Sequence, residues 1–220
     1  MVAQNTIDAT DLLKANQNFG GFVKAGFNAN NDQQSYVSAL AGRTGALDWL
    51  LSGYFRDSND AELGNSAHLE NSSKQDYGAL VKAAWQLDDD QAINLSYRES
   101  DEQGEIPSNG TTNANGRSVF LIDRDTSTNN AKISYDFDSS SKLVNGNIGA
   151  YWNHIEMKES RVSDGRGDST ELDLYGFYFQ NISSFDGFSL LYGLDAYKEN
   201  IEAKRGGSNR PTPPKAISKV

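Results

Sequence analysis

Apolar and polar residues alternate with a period of two along most of this chain, in runs that predict nine β-strands. They cover Phe19 to Ala29, Gln34 to Thr44, Asp48 to Arg56, Asp76 to Leu87, Gln91 to Ser100, Asn129 to Phe137, Leu143 to Ile155, Glu171 to Ile182 and Phe188 to Tyr197. In the fourth run Ala79, Val81, Ala83, Trp85 and Leu87 share one side, while Gly78, Lys82, Ala84 and Gln86 share the other. The sixth divides Ala131, Ile133, Tyr135 and Phe137 from Asn130, Lys132, Ser134, Asp136 and Asp138. The seventh divides Val144, Ile148, Ala150 and Trp152 from Asn145, Asn147, Tyr151 and Asn153. Such strands have one apolar and one polar face, unlike strands buried on both sides. The second run is weakly apolar on both faces, and the eighth sets Tyr175, Phe177 and Phe179 against Leu172, Leu174 and Tyr178. Alternation does not orient these two.

The connectors alternate as well. Those after strands two, four, six and eight are tight: Gly45-Ala46-Leu47, Asp88-Asp89-Asp90, Asp138 to Lys142 and Ser183 to Gly187. Those after strands three, five, seven and nine are long and polar: Asp57 to Gln75, Asp101 to Thr128, Glu156 to Thr170 and Glu199 to Pro214. An antiparallel meander puts all tight turns at one end and all long loops at the other, as outer-membrane barrels do. The expected fold class is therefore all-β, an antiparallel transmembrane β-barrel of up-and-down meander topology. A soluble sandwich is the competing architecture, since alternation alone does not tell lipid from a protein core.

Composition is compatible with that fold. Hydrophobic content is 37% and mean hydropathy −0.64, and no stretch approaches the ~20 consecutive apolar residues of a membrane helix. A barrel spreads its apolar residues over alternate positions. Ten Tyr, ten Phe and three Trp suit interfacial girdles, with Trp49 and Trp85 near tight turns and Trp152 at the loop end. The absence of Cys removes disulfides and thiolate metal sites. The net charge of −10, with 20 scattered Lys and Arg, argues against a nucleic-acid partner.

At the chain ends, Met1-Val2-Ala3-Gln4 shows neither a basic nor an apolar leader region, so this chain reads as lacking a signal peptide. Lys215-Ala216-Ile217-Ser218-Lys219-Val220 reads as the start of a tenth strand. Nine to ten strands with open edges would leave backbone groups unpaired in lipid, so the expectation is a partial barrel, part of a larger one.

The run Thr6-Ile7-Asp8-Ala9-Thr10-Asp11-Leu12-Leu13, followed by Asn18-Phe19-Gly20-Gly21-Phe22-Val23-Lys24-Ala25-Gly26-Phe27, resembles the junction at which a TonB-dependent receptor passes from its plug into its first barrel strand. Ala41-Gly42-Arg43-Thr44-Gly45-Ala46-Leu47-Asp48-Trp49-Leu50-Leu51 and Tyr54-Phe55-Arg56-Asp57-Ser58 resemble the second and third strands of the haem and haemoglobin branch of that family. The resemblance implies a plug-to-barrel junction over residues 1–18 and a partial barrel over 19–220. It also implies residence in the outer membrane of a Gram-negative bacterium and uptake of haem or haemoprotein iron. Its expected partners are outer-membrane lipid, the haem or haemoprotein ligand, and the TonB complex acting through a plug that is not in this chain. No resident cofactor is expected, haem being the transported ligand. A siderophore receptor is the nearest alternative, and a small complete porin-like barrel or outer-membrane enzyme of 8 to 12 strands is a further one.

Few residues invite chemistry. His68, in the loop after the third strand, is the candidate haem ligand, neutral imidazole being a common iron ligand. A solvated loop histidine is the plainer reading, since iron sites need further ligands and supporting hydrogen bonds. His154 is in phase with Trp152 on the apolar side, where an interfacial role is expected. Asp88-Asp89-Asp90 lacks the glycine and spacing of a calcium loop, and Arg166-Gly167-Asp168 is too short a match to an adhesion motif to count. Gly20, Gly21 and Gly26 precede no helix and so form no phosphate cradle; close backbone approach explains them better. Two histidines and no Ser, His and Asp constellation point to a non-enzyme. Lys24, Lys82 and Lys132 are expected to face the interior with Asp136 and Asp195.

Overall fold

The computed structural model describes residues 6–108, 119–139, 141–206 and, by backbone alone, 216–219. After a short helix α1 (Ala9–Leu12), the strands are β1 (Phe19–Asn28), β2 (Gln33–Thr44), β3 (Leu47–Ser58), β4 (Ala61–Glu62), β5 (His68–Leu69), β6 (Lys74–Asp88), β7 (Gln91–Pro107), β8 (Leu121–Asp138), β9 (Asn145–Arg161), β10 (Gly167–Phe185), β11 (Phe188–Arg205) and β12 (Ala216–Lys219). All but β4 and β5 join one sheet in chain order, with every neighbouring pair antiparallel. Among the described residues β1 and β12 are not paired to each other, so the sheet is an unclosed section of barrel wall. β12 pairs through Ala216 opposite Ile201 and Lys219 opposite Lys198, where the tenth strand was expected.

All nine expected strands are present, and the long connectors all leave the sheet at one end. Their lengths differ from expectation. β7 runs on to Pro107 and β8 begins at Leu121, so most of the expected Asp101 to Thr128 loop is strand; residues 109–118 lie outside the described ones. The expected Glu156 to Thr170 loop shrinks to Val162–Arg166, and β11 extends to Arg205. In these extensions both faces are polar, so alternation carries no signal there, while the backbone ladder still forms.

Pairing register separates the two faces. On the outer face Ala83 lies beside Leu95, Leu95 beside Ile133, Ile133 beside Ala150, and Ala150 beside Phe177. One residue along each strand, the inner face carries Lys82, Ser96, Lys132, Tyr151 and Gly176. The same register orients the two strands that alternation left open. Leu40 and Tyr36 face outward while Ala39 and Ala41 are buried on the inside, and Tyr175, Phe177 and Phe179 face outward while Leu174 and Tyr178 face inward.

The apolar outer band crosses the strands obliquely. The register row that begins with Tyr36, Phe55 and Tyr77 continues through Asp101, Ser127, Glu156, Glu171 and Glu202. Apolar positions in β11 accordingly sit nearer the tight turns, at Phe188, Leu190, Tyr192 and Leu194. Strands tilted against a flat apolar layer produce this slip.

Two small inner-face features position the rest. Tyr151 lies across Gly176 and Tyr178 across Gly149, so a Cβ at Gly176 would sit 2.0 Å from the Tyr151 ring; an aromatic covering a glycine in this way pins cross-strand register. Near the tight-turn end, Ala9 of α1 and Leu13 just after it are buried against Ala41 and Leu50, which is fully buried. Lys82 Nζ secures this segment by donating to Asp8 Oδ1 at 2.7 Å and to the Thr6 carbonyl at 3.0 Å. A Cβ at Gly20 would meet Leu13 Cδ2 at 3.1 Å and the Leu12 carbonyl oxygen at 3.3 Å, so at this glycine the segment at the end of α1 does approach closely.

Candidate functional site

The inner wall is a polar surface graded along the strands. Near the tight turns, Asp136 accepts from the carboxamides of Asn94 and Asn147, and Lys132 Nζ lies 5.2 Å from the centre of the Tyr178 ring. Lys24 stands over Phe22 at 4.7 Å. Toward the long connectors come Arg56 with Asp76 at 3.5 Å, Lys74 with Glu102 at 3.1 Å, and Arg124, whose Nε and Nη2 hold Glu159 Oε1 at 2.8 and 2.5 Å. Lys24, Lys82, Lys132, Asp136 and Asp195 all lie on this face by register, as the alternation implied.

The connector between β3 and β6 is built around one carboxylate. Asp60 accepts the backbone N–H groups of Asn71, Ser72 and Ser73 at 2.8–3.2 Å. Partial burial pushes the Asp60 carboxyl up, but the N–H groups of Ser72, Ser73 and Asn71 outweigh it and hold the carboxyl below its ordinary value. The β4–β5 hairpin inside this loop is tied to the β1–β2 turn: Glu62 N–H donates to the Asn30 carbonyl at 3.0 Å, and Asn30 Nδ2 returns a bond to the Glu62 carbonyl at 2.8 Å. His68 sits on this hairpin, exposed, opposite Glu62. Among the described residues no group of three or more His, Asp or Glu side chains could hold a metal ion.

His154 is on the outer face just beyond the apolar band. Its ring stacks on Trp152 at 5.8 Å, and its Nδ1 lies 2.9 Å from Asp173 Oδ1, which also accepts from Trp152 Nε1 at 3.1 Å. The cluster has one end against apolar residues and the other against polar ones, at the edge of the outer apolar band. Sequence reasoning missed Asp60 and Asp173, because each gains its role from partners on other strands or across a loop. Asp88 ties a two-residue turn by accepting from Asp90 N–H at 2.9 Å and Gln91 Nε2 at 2.6 Å.

No family model matches the chain. The Heme/hemopexin utilization protein C of Haemophilus influenzae is 26% identical to it over 250 residues, spanning 96% of this chain and 34% of that protein. The Hemin receptor of Yersinia pestis is 25% identical over 97% of this chain and 32% of its own length. The TonB-dependent heme receptor A of Haemophilus influenzae is 34% identical over 41% of this chain and 12% of that protein. The chain is thus similar over nearly its whole length to proteins named for haem utilization and hemin reception. It spans about a third of the length of the curated relatives that it matches from end to end. Among solved structures, the Serratia marcescens hemophore receptor HasR in complex with HasA and heme gives a TM-score of 0.80 at 20% identity over 93% of this chain and 30% of that one. The FrpB iron transporter of Neisseria meningitidis gives 0.79 at 22% identity over 90% of this chain and 33% of that one. At these identities the likeness to solved structures is one of fold, and it agrees with the open sheet being a section of barrel wall.

Proposed function

We propose that this chain forms the first nine to ten strands of the barrel wall of an outer-membrane receptor that takes up haem or haemoprotein iron. Residues 1–18 serve as the junction to a plug, through which the TonB complex acts, and residues 19–220 belong to the barrel. The observation that carries the reading is the nearly end-to-end match to haem and hemin receptors, on a sheet with an apolar outer face and a charged inner one. In this role the outer face lies in the lipid of a Gram-negative outer membrane, and the extended polar strands and the Asp60-braced hairpin stand outside it. The work is binding and passage rather than bond chemistry, in keeping with relatives that carry receptor names. His68 contributes surface contact with the arriving ligand and not iron ligation, since among the described residues its hairpin gathers no further ligands.

The test uses the protein expressed from its complete reading frame in an iron-starved Gram-negative host lacking haem receptors. Growth on hemin as sole iron source, lost when the host's TonB gene is deleted, is the expected result. Heat-modifiable protein in the outer membrane without growth on hemin or haemoprotein would overturn the reading.

A further inference from the structure

Where β8 begins and β9 ends, the inner wall holds a cavity of about 180 Å³ lined by Phe120, Ile122, Glu159, Arg161, Arg166 and Asp168, with Ser108 at its edge. Two guanidinium groups therefore reach one small space. Arg161 lies flat on Phe120, its guanidinium carbon 3.9 Å from the ring centre. Its Nε is buried and, among the described residues, has no hydrogen-bond partner. A buried guanidinium donor without an acceptor is uncommon, and it is satisfied by a water or by an anion that enters.

The neighbouring carboxylates do not fill that role. Glu159 is drawn toward Arg124, whose Nε and Nη2 both donate to its Oε1, and it gives Arg161 Nε no acceptor. Asp164 is engaged by Arg161 Nη1 at 3.2 Å and by the Arg166 backbone N–H at 3.2 Å. Asp168 Oδ1 accepts the Gly206 N–H at 3.0 Å, and its Oδ2 stands 3.8 Å from Arg166 Nη2, beyond hydrogen-bond reach. Arg124, Arg161 and Arg166 against Glu159, Asp164 and Asp168 sum to zero charge, so selectivity here comes from directed donors and not from a general positive field. A planar guanidinium with a free N–H edge, backed by a second one, fits a carboxylate.

We propose that this cavity is a carboxylate subsite on the ligand path and that it takes a propionate side chain of haem. The inference rests on the haem-receptor reading and adds to it a site and a ligand group. Ile122 and Arg161 are cross-strand partners, so the site is held by the ladder itself and its donors are placed before any ligand arrives. Because the cluster is neutral, the propionate dependence should change little with salt.

The protein from its complete reading frame, purified in detergent, is titrated with hemin and with hemin dimethyl ester, in which both propionates are blocked. The Soret band is followed in each case. Hemin should bind at least about tenfold more tightly than the ester, the size expected from one or two charge-assisted hydrogen bonds. Arg161→Gln should lower hemin affinity by roughly that factor and leave ester affinity unchanged; Arg166→Gln should produce a smaller loss in the same direction. Should Arg161→Gln lose its heat-modifiable mobility, the wild-type comparison and Arg166→Gln decide alone. Equal affinity of the wild type for hemin and ester with haemoprotein capture intact in Arg161→Gln, or equal loss of both in the variant, overturns the subsite while the haem-receptor reading stands. Equal affinity for the two together with lost capture of a haemoprotein in Arg161→Gln would place a protein carboxylate in the cavity, and overturns the propionate assignment. Failure of the wild type to bind hemin or haemoprotein at all removes both readings.

Discussion

Replacing Ile133 by Arg puts a charge at the middle of the outer apolar face. Ile133 is 49% exposed, lies between Leu95 and Ala150 across the sheet, and has Ala131 and Tyr135 as the next outward residues on its own strand. In β6 the outward apolar positions run from Tyr77 to Leu87, roughly 33 Å of strand at about 3.3 Å per residue. Tilted by about 40°, that length spans about 25 Å, the height of a barrel's lipid-facing band. An Arg at its midplane costs roughly 2–4 kcal/mol, a shift of about 30- to 900-fold in the folding equilibrium. Asn147→Arg is the matched control, because Asn147 faces inward beside Asp136, whose carboxylate can receive the new charge. Losing that single hydrogen bond costs about 1 kcal/mol before any gain from the new ion pair. Both variants are made in the protein from its complete reading frame, refolded into detergent or bilayers, and read by denaturant midpoint and by heat-modifiable mobility on a gel. Equal tolerance of the two substitutions would show that the Ile133 face does not lie in lipid, and would restore the soluble-sandwich alternative.

Asp60→Ala removes the acceptor of three backbone N–H groups and should open the β4–β5 hairpin by about 1–3 kcal/mol, seen as faster amide exchange over residues 61–72; unchanged exchange would mean the loop is held elsewhere. Because the Asp60 carboxyl is lowered in the folded state, its contribution is present above the unfolded value of about 3.9 and is lost as pH falls through the folded value, so hairpin protection should be flat from pH 7 to about 5 and decay only below about 4. Gly176→Val sets a Cβ against the Tyr151 ring and should cost about 1–3 kcal/mol by overpacking, with Tyr151→Ala in the same chain relieving most of it; additive losses would show that the two do not touch. His68→Ala should leave the hemin Soret spectrum unchanged, whereas a spectral shift lost in that variant would make His68 an iron ligand.

The alternation of side chains determined by itself that the chain is all-β, which residues form nine of its strands, and which face of most of them is apolar. A period-2 pattern can do this because consecutive side chains in a strand point to opposite faces. The unequal connectors determined the meander, since antiparallel neighbours can be joined by tight turns at only one end when the other end carries loops. The run from Thr6 to Ser58 carried the likeness to haem receptors. Tertiary structure decided what has no such period. β2 and β10 are apolar on both faces, so only the register with their neighbours turns Leu40 and Phe177 outward. The strands continue past the apolar band, as at Asp101 to Pro107, where charge on both faces hides the period but backbone groups still pair. The oblique course of the band, which makes Tyr77 the neighbour of Asp101, depends on how successive strands are staggered. The meeting of Arg161 with Phe120 and Arg166, and of Asp60 with residues 71–73, depends on segments far apart in sequence that hydrogen-bonded ladders bring together. A strand's own residues set its faces, whereas contacts between strands are set by pairing, in which each strand's position depends on its neighbour's.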